Sequence, residues 1–113
     1  MMQALKIRIA LGKSIAMGPG KADLLDAIDA HGSISAAAKQ MKMSYRRAWE
    51  LVDVMNKCFN QPLVISSPGG VNGGGAQLSE FGRTTLKSYR DLVAKSSLAA
   101  QVELDQILSN IKR

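Results

Sequence analysis

Four consecutive residues, Ser44, Tyr45, Arg46 and Arg47, place a hydroxyl, a phenol and two guanidiniums side by side. Guanidiniums present forked N–H donors that fit the acceptor edge of guanine or a phosphate, so the chemistry suited to them is recognition of a nucleic acid. Such a pair is poorly placed for stability at the start of a helix. That end carries about half a positive charge and favours an anion opposite it, which a phosphate backbone supplies. The bland alternative for Arg46 is an i,i+4 pair with Glu50, worth only a few tenths of a kcal/mol.

Presenting those residues requires a helix pair, and Ser33 to Asn56 reads as two short helices joined by a tight turn. The first is expected to start at Ser35 and to run through Ala36, Ala37 and Ala38 to Met41, its alanines leaving room for a close crossing. Met43 is expected to plug the turn and Ser44 to cap the second helix. Ala48, Val52, Met55 and Phe59 then recur as a buried stripe, with Arg46, Glu50, Asp53 and Lys57 on the opposite face. This is a helix-turn-helix pattern whose second helix enters a major groove by its N-terminal end. Glu50 and Asp53 would repel phosphate, so only the first turn or so is expected to enter deeply.

The 113 residues suffice for one domain with a modest core and one protruding element. The formal charge is +6 and the isoelectric point about 9.8, which favours an anionic partner. Lys39, Lys42, Arg46, Arg47 and Lys57 cluster around the helix pair, whereas Asp23, Asp26 and Asp29 make an earlier segment acidic. Cys58 and His31 are the only residues of their kinds, which excludes an intrachain disulfide or a Cys/His zinc site. With no converging carboxylates on the basic face, no enzymatic activity, metal or cofactor is expected. Lys6 and Arg8 interrupt the N-terminal apolar residues, so neither a signal peptide nor a membrane span is read, and a cytoplasmic location is expected.

Leu5, Ile7, Ile9 and Leu11 alternate with Lys6, Arg8 and Ala10, the period of a half-buried strand. Gly12 to Gly20 is expected to be a turn-rich connection. A helix from near Gly20 to His31 follows, with Leu24, Leu25 and Ile28 inward, Gly32 ending it, and the three aspartates on a solvated outer face. After the helix pair, Leu63 to Ile65 and Ala76 to Leu78 are read as strands. The glycine-rich Ser66 to Gly75 joins them as a wing, whose backbone at Gly70, Asn72 and Gly73 could approach phosphates. A nucleotide-binding loop is rejected, because Gly75 stands where that motif needs lysine. Ser79 is expected to cap one long helix from Glu80 to Arg113. Phe81 and Leu86 face the core, and Val93, Ala100, Leu104, Ile107 and Ile111 form a protruding stripe for a homodimer. The expected division is a DNA-binding domain at 1–85 and a dimerising extension at 86–113.

The segments GSISAAAKQMKMSYRRAWELVDVMN, PLV, the glycine-rich wing and LSEFGRTTL resemble the DNA-binding domain of ModE-type molybdate-responsive regulators, relatives of the LysR-type winged helix. The resemblance implies a mostly α winged helix-turn-helix with a small β component that binds a pseudo-palindromic operator as a homodimer. Ser44, Tyr45, Arg46 and Arg47 match its DNA-reading end, and Trp49 matches a position expected to pack. The family's wing usually carries a basic residue where Val71 and Asn72 stand here. The family's molybdate-binding domains have no counterpart in this sequence, so no molybdate site is expected, and control is assigned to expression level or a separate effector-binding protein. Ser35, Ser44, Tyr45, Arg46, Arg47, Gly70, Asn72 and Gly73 thus form the expected contact set for double-stranded DNA. The competing readings are a non-specific architectural DNA binder and a protein-interaction module that binds no DNA.

Overall fold

A computed structural model describes residues 5–70 and 73–112. The chain opens with a short antiparallel hairpin, β1 (Ile9–Leu11) and β2 (Ser14–Met17), turned at Gly12 with φ +59°. A two-residue hairpin turn of this kind needs positive φ, which glycine adopts without steric cost. β2 was expected to be connection. Its register slips between Ile9 and Ala10; Ile9 and Leu11 are exposed, and the inward alternation survives at half-buried Leu5 and Ile7.

Helix α1 (Pro19–His31) begins with proline at its first turn and ends at Gly32, which takes φ +78° and returns its N–H to the Ile28 carbonyl. Ala22, Leu24, Leu25, Ala27 and Ile28 are buried. α2 (Ile34–Gln40) and α3 (Tyr45–Cys58) form the helix pair. The cap of α2 is Ser33 and not Ser35: Ser33 is extended, and its Oγ accepts from the Ala36 N–H at 3.0 Å. Ser35 lies within the first turn and is exposed. Lys42 makes the turn at φ +58°, a left-handed conformation costing a non-glycine residue about 1–2 kcal/mol. Met43 packs partly buried against the core as expected.

The wing is a longer ladder than the sequence suggested. β3 (Val64–Gly70) and β4 (Gly73–Leu78) pair antiparallel from Val64 opposite Leu78 out to Gly70 opposite Gly73. Its root is fixed to the helices. Asn56 Oδ1 accepts from the N–H groups of Leu63 and Val64 at 2.8 and 3.2 Å, while Nδ2 donates to the Val64 carbonyl. The Ala76 N–H donates to the Gly32 carbonyl at 2.9 Å, tying β4 to the end of α1.

α4 (Glu80–Ala99) is capped by Ser79, whose Oγ accepts from the Gly82 N–H and donates to the Pro62 carbonyl. It then runs back over α1. Arg90 bridges Asp23 and Asp26, and Arg83 pairs with Asp29, so the acidic face of α1 is engaged in ion pairs and not merely solvated. Tyr89 Oη donates to the Ile7 carbonyl at 2.6 Å. This crossing buries Leu86 and Tyr89 and leaves Val93 only 8% exposed. Val93 therefore packs on its own core rather than heading a seam for a second chain. The expected single helix is also interrupted: α5 (Gln101–Leu108) follows a departure at Ala100, φ −97° and ψ 12°, which no proline or glycine marks in the sequence.

Candidate nucleic-acid interface

Ser44 caps α3 as expected, its Oγ accepting from the Arg47 N–H at 3.0 Å. Ala48, Val52 and Met55 point into the core, with Phe59 packed partly buried beyond them. The remaining surface of α3 has three sectors. Outermost are two i,i+4 ion pairs, exposed Arg46 with Glu50 at 3.1 Å and Lys57 with half-buried Asp53 at 2.8 Å, Asp53 also bordering the groove toward the wing. Each is worth only a few tenths of a kcal/mol in solvent, so Arg46 is free to exchange Glu50 for a base or a phosphate. The paired carboxylates also repel an incoming phosphate less than isolated ones would.

Toward the wing, Tyr45 and Trp49 flank a groove whose far wall is Ile65, Ser66 and Ala76 and whose end is closed by Ser33 and Ser35. Trp49 was expected to pack, yet it is 47% exposed, because the wing stands away from α3 above Asn56. The sequence signal was available: Trp49 follows Tyr45 by four residues and so shares its face. Two aromatic rings beside an arginine suit contact with sugar, base methyl or base face. Gly70 and Gly73 are paired across the outer ladder, and Asn72 lies outside the described residues.

On the third sector Arg47 faces away from the wing, toward Lys21 in the first turn of α1 and Lys6 and Arg8 of the N-terminal segment. Partial burial, followed by the charges of Arg47 and Arg8, pushes the Lys21 ammonium below its ordinary pKa. The two arginines that are adjacent in sequence thus occupy different surfaces. Among the described residues no three His, Cys, Asp or Glu side chains converge to hold a metal ion. Among the described residues no helix is long and apolar enough to cross a membrane.

A capped helix pair over a three-helix core, followed by a hairpin lying beside the second helix, is a winged helix-turn-helix. The solved structure of full-length LysG, a LysR-type regulator of Corynebacterium glutamicum with bound effector Arg, matches 84% of this chain and 30% of its own, with a TM-score of 0.55 at 21% identity, a likeness of fold. In sequence the chain is similar to proteins named ModE. The molybdenum transport protein ModE of Azotobacter vinelandii is 46% identical over 61% of this chain and 26% of its own length. The transcriptional regulator ModE of Haemophilus influenzae is 34% identical over 95% of this chain and 44% of its own. The chain thus spans less than half the length of the relatives it matches. No family model matches it.

Proposed function

We propose that this chain is a sequence-specific double-stranded DNA-binding domain of a transcription regulator, acting as a homodimer, with α3 in the major groove and the wing beside the backbone. The observation that carries the reading is the outward N-terminal end of α3, where Ser44, Tyr45, Arg46 and Trp49 stand exposed between a wing and a basic flank. The names of the ModE relatives support regulation of transcription as the setting.

The dimer rests on apolar surface near the C-terminal end. Leu98 is 77% and Val102 65% exposed, and Ile107 and Ile111 are also exposed, while Ala100 and Leu104 are half-buried. Isolated helices of this length gain little on their own, and covering this stripe with a second copy supplies the missing burial.

Selection of genomic fragments with the purified chain tests the whole reading. An enriched inverted repeat is expected. Recovery of fragments without any common sequence would point to an architectural binder, and no duplex retention at low salt would point to a protein-interaction module.

A further inference from the structure

Among the described residues, Arg46 and Lys57 on α3 and Arg83, Lys87 and Arg90 on α4 have carboxylate partners, whereas Lys39 and Lys42 form no ion pair. Lys6, Arg8, Lys21 and Arg47 form no ion pair among the described residues, yet they line one groove. Three separate parts of the chain bring them together: the segment before β1, the first turn of α1 and the start of α3. Gathering four like charges without a counterion costs free energy, which an anion held among them would recover. The floor is apolar, made by Ile15, Met41, Met43 and Leu51, and the groove is open, so an extended polyanion can run along it where a small oxyanion would remain largely hydrated.

We infer that this groove is a clamp for the DNA phosphate backbone on the side of α3 away from the wing, with Arg47 a phosphate-positioning residue and Lys6, Arg8 and Lys21 extending the footprint. The inference rests on the DNA-binding reading above. It divides the two adjacent arginines by role: Arg46 faces base edges, and Arg47 joins the clamp. Continuity of the groove with the exposed end of α3 through Arg47 sets its occupant as the same duplex, one backbone strand removed from the bases being read. Contacts of this kind fix register and carry no sequence information.

The test compares Lys6→Gln/Arg8→Gln/Lys21→Gln with the full wild-type chain and with Arg46→Ala, on the selected operator and on a random-sequence duplex, across a salt series. The triple variant is expected to bind both duplexes more weakly by the same factor, at least tenfold. Its log K against log salt slope should be shallower by about 0.9 for each phosphate lost. Arg46→Ala should weaken the operator preferentially. A triple variant with unchanged affinity and slope, alongside an impaired Arg46→Ala, overturns the clamp and leaves the recognition helix standing. Wild-type chain that binds neither duplex overturns the underlying reading. Saturable binding of inorganic sulfate or molybdate lost in the triple variant, with its salt slope on DNA unaltered, also overturns the clamp and makes the groove a free-anion site. A thermal melt of the triple variant within a few degrees of wild type separates these outcomes from misfolding, and Lys21→Arg, which keeps the charge, should retain the wild-type slope.

Discussion

Arg46 donates through Nε to Oε1 of Glu50 at 3.1 Å, on the outermost face of α3, so the side chain proposed to read a base is held in the free protein by its own helix. The hold is weak, because both groups are well exposed. Its release has a measurable consequence. Glu50→Gln removes both the competing partner and a charge facing the duplex, and is expected to tighten binding by roughly 0.5–1 kcal/mol with a stability change of a few tenths. Anisotropy titration beside a melt checks this, and weaker binding would mean that Glu50 accepts from a base.

Arg46→Ala is expected to cost the operator complex about 1–3 kcal/mol and to relax discrimination at one base position. Competition with single-base operator variants reads this directly. A uniform loss across all of them would place Arg46 on phosphate.

The Asn56 side chain holds the root of the wing, beside the Ser79 hydroxyl on the Pro62 carbonyl. Asn56→Ala leaves the Leu63 and Val64 N–H groups without their acceptor, at a cost of about 1–3 kcal/mol. Gly82→Ala acts at the same root, since a Cβ there would sit 2.1 Å from the Leu63 carbonyl oxygen, where only backbone can give way. Denaturant unfolding should show both losses. Wild-type stability in either variant would contradict the anchoring.

Truncation after Ala99 keeps Leu86, Tyr89 and Val93 on the core and removes α5, so a folded monomer is expected where the whole chain is a dimer at micromolar concentration. Sedimentation velocity decides it. A monomeric full-length chain would leave the exposed Val102 and Ile107 unexplained.

Much of this arrangement was legible from local signals. Gly32 stops α1, Ser44 and Ser79 cap α3 and α4, and the glycines of the wing announce a hairpin, each because the backbone geometry depends on residues within one turn. Nonlocal features were hidden. Ser33 and Ser35 are equivalent as caps until the path out of Gly32 sets Ser33 extended. Strand β2 is four residues between glycines, too short to show a period. Val93 fits a protruding seam by spacing, and only the packing of α4 on α1, through Arg90, and on the N-terminal segment, through Tyr89 and Ile7, buries it. The company that Arg47 keeps with Lys21, Arg8 and Lys6 joins residues from three elements, so sequence adjacency to Arg46 concealed it.

The ModE relatives raise the question of molybdate, and these residues offer it little. Selectivity among oxyanions needs several donors converging in an enclosed pocket, whereas the basic groove is open and lined by charges that sulfate would satisfy equally. Calorimetry of the 113-residue chain is expected to show no saturable molybdate binding. Selective uptake of molybdate and tungstate over sulfate at low micromolar concentration would contradict it.

We propose that duplex DNA is recognised in a sequence-specific way through the first turn of α3. The most direct measurement is the ratio of affinities of the purified chain for the selected inverted repeat and for an unrelated duplex at physiological salt. A ratio of about 10³ or more is expected, collapsing in Arg46→Ala. A ratio near one, unchanged by that substitution, would contradict it.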